Sequence, residues 1–320
     1  MLQRFLFAFL AMLAGSALAQ YPTKPVTIVV PFAAGGPTDT VARVIALAMQ
    51  KPMGQTLLVE NKAGAGGTIG VNAVAKAAPD GYTTLIYHIG MATAPALYRT
   101  LPFKPMEDLE PIGLINDVPM TLVAKKDFPA NDLKELIAYV KKNKDKVNYA
   151  NAGLGAASHL CGMLFMSAIE TDLTTIAYKG TAPAMNDLIG GQVDFMCDQT
   201  TNTIAQIKGG KIKVYGVTTK KRLAALPEVP TMEEGGLKGF EIGIWHAMYA
   251  PKGTPKAAID KLVSSLQVAL KDDTVKKRFN DLGTDPIAQD KATPAALRAH
   301  LKAEIDKWGP LIKKAGVYAD

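Results

Sequence analysis

Short apolar runs rich in β-branched residues alternate with helix-period segments along nearly the whole chain, and this alternation leaves little choice of architecture. Each apolar run reads as a strand buried on both faces and each periodic segment as a helix that covers it, the pattern of parallel sheets flanked by helices. Strands are expected over Val26–Val30, Thr56–Val59, Thr83–Tyr87, Ile112–Ile115, Thr121–Ala124, Val147–Ala150, Thr174–Ala177, Val193–Cys197, Lys213–Thr218 and Ile242–Ala250. Helices are expected over Asp39–Lys51, Ile69–Lys76, Leu133–Asn143, His159–Ile169 and Pro183–Ile189, followed by Lys256–Lys271, Asp273–Leu282 and Pro294–Ala315 as an all-helical tail. The class is α/β.

Two extended segments divide this pattern. Between Pro111 and Pro129 two strand candidates run almost together, and a second long extended segment, Glu241 to Pro251, follows more than a hundred residues later. Two such crossings make a discontinuous outer lobe, residues 20–120 and 244–320, and an inserted lobe, residues 121–243, with a cleft between them.

Residues 1–19 carry one basic residue (Arg4), an apolar core from Phe5 to Ala14, and Ala17-Leu18-Ala19 before Gln20. That is the layout of a cleaved signal peptide, so export with cleavage after Ala19 is expected. About 300 residues then remain, enough for two lobes with separate cores. Thirty-six Lys and Arg stand against 29 Asp and Glu, a net charge of +7. This mild basicity suits an anionic small molecule. The longest basic cluster, Lys141 to Lys146, contains no aromatic residue, which argues against nucleic acid as a partner. Cys161 and Cys197 are the only cysteines. In an exported chain, and near the same end of one βαβ unit, they are expected to form a disulfide worth about 3–4 kcal/mol in the chain-entropy account.

Three strand-to-helix turns share one chemistry. Pro31-Phe32-Ala33-Ala34-Gly35-Gly36-Pro37-Thr38-Asp39 follows the first strand, Asn151-Ala152-Gly153-Leu154-Gly155-Ala156-Ala157-Ser158 precedes the helix from His159, and Tyr178-Lys179-Gly180-Thr181-Ala182-Pro183 precedes another. Small residues let backbone N–H groups and the positive end of a helix approach an anion. One turn lies in the outer lobe and two in the inserted lobe, so a closed cleft would aim several helix N-termini at a single carboxylate, each worth up to about 0.3–2 kcal/mol. Asp39 would repel such a ligand, and its most economical role is to cap its helix and lock its turn; accepting a hydrogen bond from a ligand is the alternative. Asp198, just after a strand, is a similar case.

Catalytic signatures are sparse. The sequence has no Gly-x-Ser-x-Gly elbow, no Walker-type phosphate loop and no His-Glu-x-x-His. The glycine clusters at 64–70 and 153–158 lack the third glycine of a dinucleotide fingerprint, so no cofactor is expected. The histidines, at 88, 159, 246 and 300, form no pair at metal-ligand spacing, so no metal is expected. His88 and His159 each stand where they could face the cleft, and Trp245 and Tyr249 lie on the second crossing segment.

An ordered series of motifs resembles the Bug family, the periplasmic solute receptors of tripartite tricarboxylate transporters. The series runs from Pro31-Phe32-Ala33-Ala34-Gly35-Gly36-Pro37-Thr38-Asp39 through Val59-Glu60-Asn61-Lys62-Ala63-Gly64-Ala65-Gly66-Gly67 and Pro79-Asp80-Gly81-Tyr82-Thr83. It continues with Gly155 to Leu160, Tyr178-Lys179-Gly180-Thr181, Gly190-Gly191-Gln192-Val193-Asp194, Leu226-Pro227-Glu228-Val229-Pro230-Thr231 and Ala250-Pro251-Lys252-Gly253-Thr254-Pro255. The resemblance implies a two-lobed, type II-like periplasmic binding protein, expected to be a monomer, that closes on a small carboxylate and delivers it to two integral membrane transporter subunits. It implies contacts from Phe32, Ala34, Gly35, Gly36, Thr38 and Asp39, then Ala156, Ala157 and Ser158, then Thr181. The far end of the ligand is expected near His88, Met91, Asp198, Gln199 and Trp245. The resemblance lends little to the disulfide, since many relatives have other residues at positions 161 and 197. The rival reading is a periplasmic hydrolase or lyase using His159 with Ser158 or Asp198.

Overall fold

The computed structural model describes residues 21–316 and 318. The expected signal peptide and its cleavage point lie outside the described residues. The described residues open with a strand-turn-helix unit, β1 (Val26–Val30) and α1 (Pro37–Met53), followed by β2 (Leu57–Asn61), α2 (Thr68–Ala75), β3 (Thr83–His88) and α3 (Gly90–Leu97). β1 pairs in parallel with both β2 and β3, so the opening units wind as the apolar alternation predicts.

The next strand differs from expectation. Ile112–Ile115 and Thr121–Ala124 are two parts of one strand, β4 (Leu109–Lys125). Asn116, Asp117 and Pro119 interrupt the apolar pattern without ending the strand. Pro119 pairs with Gly243, and from Met120 onward the partners change, so the donor that proline lacks is missing at a junction between ladders.

Beyond β4 follow α4 (Leu133–Lys142), β5 (Asn148–Asn151), α5 (Ala157–Ala168), β6 (Thr174–Ala177), α6 (Thr181–Ile189), β7 (Phe195–Gln199), α7 (Thr200–Lys208) and β8 (Ile212–Val217). The chain returns along β9 (Gly243–Pro251) and ends in α8 (Lys256–Lys271), α9 (Asp273–Asp281), the two-residue strand β10 (Asp285–Pro286) and α10 (Pro294–Ala315). β10 pairs with β4, so the tail is not wholly helical as expected.

The strands join in the order β2-β1-β3-β9-β4-β7-β5-β6, with β8 and β10 also on β4. Only the flanks are parallel. β9 runs antiparallel to both β3 and β4, and β4 runs antiparallel to β7 and β8. The sheet is therefore mixed, because the two crossing strands enter it from opposite directions. β4 is the spine: Leu109 to Pro119 pair with β9 in one lobe, and Met120 to Lys125 pair with β7 and β8 in the other.

One apolar core, built on Val26, Ile28, Val41, Ile45, Met49, Leu262, Leu266 and Phe279, packs β1 against α1, α8 and α9. A second runs from Phe32 and Tyr87 through Leu114 and Leu122 to Tyr149, Phe165 and Phe195, so it continues across both lobes. The disulfide joins Cys161 on α5 to Cys197 on β7, with Cα atoms 6.1 Å apart. Two helices escape the sequence pattern: α3 is buried nearly all round and contains Pro95, and α7 opens with poor helix formers, Thr200-Thr201-Asn202-Thr203.

Candidate functional site

The β1–α1 turn is held in shape by side chains. Gly35 takes a left-handed conformation, φ +82°, and donates its N–H to Asp39 Oδ2 at 2.9 Å. The Asp39 carboxylate also accepts from Arg43 Nε (2.9 Å) and Nη2 (3.0 Å) and from Asn61 Nδ2 (2.9 Å). Burial alone would raise its pKa; the hydrogen bonds from Arg43, Gly35 and Asn61 outweigh burial and hold it below the ordinary carboxylate value. Asp39 is thus a lock on its own turn, with both oxygens occupied. Asn61 ties the turn to β2 by also donating to Phe32 O at 3.0 Å.

The turns meet across the lobes. Ala33 N–H donates to Lys179 O at 2.9 Å. A Cβ on Gly180 would lie 3.0 Å from Ala33 N, so only glycine lets these turns approach so closely. On the neighbouring rim, Tyr98 Oη lies 2.8 Å from Ala65 O and 2.9 Å from Leu154 O, so its single O–H is shared between the two carbonyls. The lobes are closed on each other.

Between them lies a cavity of about 20 Å³, lined by Phe32, Gly36, Pro37, Thr38, His88, Ala152, Ala157, Ser158, Thr181, Asp198 and Gln199. It has room for about one water. The first N–H groups of α1, α5 and α6 have no partners inside their helices, and residues from all three N-termini border the cavity. Ser158 Oγ accepts Ala152 N–H at 2.8 Å, which leaves its hydroxyl hydrogen to donate elsewhere. His88, stacked on Phe32 with ring centroids 4.9 Å apart, accepts Gly90 N–H on Nδ1 at 3.0 Å. Burial holds its pKa near 3, so it stays neutral and keeps its hydrogen on Nε2.

Asp198 is the acid of the cavity, 1% exposed. Its Oδ1 accepts Gln199 N–H at 2.8 Å and its Oδ2 accepts Asn202 Nδ2 at 2.5 Å. Burial pushes its pKa up to about 6 against those bonds. Thr181 stands near enough to favour the ionised form, but its Oγ1 completes no hydrogen bond of acceptable geometry.

The cavity gathers nine of the residues expected from sequence: Phe32, Gly36, Thr38, His88, Ala157, Ser158, Thr181, Asp198 and Gln199. Ala34 and Gly35 are exposed on the outer side of their turn, Ala156 is the buried N-cap of α5, and Asp39 is spent on the lock. Met91 is fully buried in the core. Trp245 is a correction. Side chains alternate along β9, so His246 faces Thr38, 3.3 Å away, while Trp245 points to the other face. There its indole N–H donates to Glu304 at 3.2 Å, in a separate cavity shared with Asp117, His300 and Trp308. Pro37 and Ala152 complete the lining. Asn61 and Arg43 escaped sequence reasoning; only the i,i+4 spacing of Asp39 and Arg43 signalled the second.

Hydrolytic chemistry finds no constellation here. His159 Nδ1 accepts Gly155 N–H at 3.4 Å, and among the described residues Ser158 and His159 share no hydrogen bond. No group of three or more His, Cys, Asp or Glu among the described residues could hold a metal ion.

Residues 41–317 match the family described as tripartite tricarboxylate transporter family receptor. The chain belongs to the Bug family of these receptors. It is 57% identical to the periplasmic binding protein BugD, whose structure superposes with a TM-score of 0.91 over 93% of this chain and 99% of that one. MatC of Rhodopseudomonas palustris, solved with bound malate, is 40% identical, with a TM-score of 0.89 over 91% of this chain and all of that one. A protein of Agrobacterium vitis, described as the UPF0065 protein in the TAR-I ttuE-ttuC' intergenic region, is 54% identical over 92% of this chain and 86% of its own length. The receptor therefore has the mixed α/β fold of a periplasmic binding protein.

Proposed function

We propose that this receptor captures a small carboxylate between its lobes and releases it to a membrane transporter without chemical change. One observation carries the reading: the turns before α1, α5 and α6, contributed by both lobes, converge on a single buried cavity. Converging N–H groups and helix dipoles favour a carboxylate more than any single exposed cation would. MatC, a structural relative, was solved with malate. The contacts fall to Phe32, Gly36, Thr38, His88, Ala157, Ser158 and Thr181. Entry requires the lobes to part, since the closed cavity has room for about one water.

The lobes divide at the crossing strands, with 20–120 and 244–320 on one side and 121–243 on the other. The mature receptor begins at Gln20 after export to the periplasm, acts as a monomer and meets two integral membrane subunits.

A thermal-shift screen tests the core of this reading. Receptor unfolded and refolded to strip carried ligand is heated with linear and aromatic mono- and dicarboxylates. A saturating ligand raises the melting temperature, since binding at a hundredfold excess over Kd adds about 2.7 kcal/mol. Silence across the panel rejects the proposal.

A further inference from the structure

A second cavity, of about 270 Å³, lies on the opposite face of β9 from the interlobe cavity. Its walls include Asp117 from β4, Gly243 and Trp245 from β9, and His300, Glu304 and Trp308, which recur every fourth residue along one face of α10. The Glu304 carboxylate is fixed in place. Its Oε2 accepts both indole N–H groups, from Trp245 at 3.2 Å and from Trp308 at 2.9 Å.

Two polar groups of this cavity lack partners. Asp117 lies against β9, where a Cβ on Gly243 would stand 2.6 Å from its Oδ1, and its carboxylate meets no donor or ion-pair partner among the described residues. The other acids of the cavity are paired, Glu304 with Lys307 at 3.6 Å and Glu241 with Lys220 at 3.4 Å. His300 Nε2 is buried with no hydrogen-bond partner. The His300 ring meets Trp245 edge-on with centroids 4.9 Å apart, and burial lowers its pKa, so it stays neutral and can accept a hydrogen bond. Buried polar atoms in folded proteins are overwhelmingly hydrogen-bonded, so an unpaired carboxylate beside an unpartnered nitrogen points to a cation that brings N–H groups. The cavity already favours an ammonium at its rim, where Lys307 Nζ stands 4.7 Å over the Trp308 ring. Indole walls suit a charge carried on an organic body, and among the described residues no group of three or more His, Cys, Asp or Glu could hold a metal ion. We propose that this cavity is a second binding site, for a small organic ammonium ion whose N–H groups donate to Asp117 and His300 and whose carbon body lies against Trp245. It stands apart from the carboxylate reading, since none of its lining residues borders the interlobe cavity.

The chain has two tryptophans and both line this cavity, so indole fluorescence reports on it directly. The receptor is titrated at pH 7.5 and constant ionic strength with n-butylammonium chloride, tetramethylammonium chloride and 1-butanol. n-Butylammonium should change the emission along a saturable curve, and 1-butanol, of similar size but without charge, should not. Tetramethylammonium has the charge and no N–H, and should bind at least about tenfold more weakly, the scale of a lost charge-assisted hydrogen bond. Asp117→Asn should weaken n-butylammonium by a similar factor. Lys307→Met removes the cation that competes for Glu304 and the Trp308 ring and should tighten n-butylammonium several-fold, which gives a second reading should Asp117→Asn fail to fold. The absence of a saturable change with n-butylammonium overturns the inference. So does equal binding by 1-butanol or tetramethylammonium, or an affinity for n-butylammonium that is the same in both variants as in the parent. Each of these results leaves the carboxylate reading standing, because other residues hold that ligand.

Discussion

Asp198 is expensive for the empty receptor. Its carboxyl has an ordinary value of 3.8 and is pushed up to about 6 by burial. Below about pH 3.8 it is protonated in both folded and unfolded chains and contributes no pH dependence. Between there and about 6 the unfolded chain ionises first, so unfolding releases a proton and stability falls as pH rises. Above about 6 the full cost is present, about 3 kcal/mol at a ceiling set by the shift. Asp198→Asn should therefore raise the melting temperature of the ligand-free receptor at pH 7.5 by several degrees, with the gain shrinking towards pH 4. Parallel melting curves for the two proteins from pH 4 to 8 would show that the carboxylate carries no such cost. His88 has the opposite sense: its pKa, held near 3 by burial, leaves the folded state neutral, so stability is lost as pH falls below about 6.5. Both groups were legible from sequence as candidates beside the cleft. Their charge states were not, because burial depends on what the other lobe brings over them.

At the scale of the element, the strand-turn-helix geometry before α1 was readable from its glycines, its strand and its helix, all of which are local. Its lock was not readable, because Asn61 arrives from β2 and meets Asp39 only in the fold. Removing the lock should loosen the turn. Asp39→Ala leaves the Gly35 N–H, the Arg43 guanidinium and the Asn61 amide without their shared acceptor, and should weaken ligand binding by about tenfold, the scale of one lost charge-assisted hydrogen bond. Unchanged affinity would show that Gly35 holds the turn unaided. The disulfide lies at this scale too, and here compartment and topology were sufficient clues. It closes a loop of 36 residues that carries β6 and α6 inside it. Cys161→Ala/Cys197→Ala should lower unfolding free energy by about 3–4 kcal/mol in chemical denaturation. A loss under about 1 kcal/mol would mean that Phe165, Phe195 and Tyr149 already hold α5 on β7. Where the reading missed, the cause is tertiary: α3 presents no polar face to reveal a helical period, and β4 stays one strand because it gains new partners where its apolar pattern breaks.

For the whole molecule, the alternation of strands and helices and the two crossings conveyed the lobed architecture, while the antiparallel centre of the sheet depended on the direction in which β4 and β9 enter it. Closure depends on contacts that no local pattern announces. Gly66 and Leu154 belong to opposite lobes, and a Cβ built on Gly66 would stand 1.8 Å from Leu154 O and 3.0 Å from Tyr98 Oη. The 1.8 Å neighbour is backbone carbonyl, which no side-chain rotation can move aside, so Gly66→Ala should prevent full closure. Ligand binding is tied to closure, because the cavity is formed by both lobes, so the variant should bind the best acid of the panel at least about tenfold more weakly, in proportion to the closed fraction it loses. Gly66 also has φ +60°, a conformation that alone costs a residue bearing Cβ about 1–2 kcal/mol. Gly54→Ala separates the two effects: Gly54 has φ +76° and nothing within 4 Å of its Cβ, so it pays the backbone strain without touching the other lobe. Both variants should melt lower than the parent, and only Gly66→Ala should lose affinity and keep, under saturating acid, the larger radius of gyration of the ligand-free state in small-angle scattering. Equal affinity in the two variants would mean that the Gly66–Leu154 contact is a consequence of closure and not a condition for it.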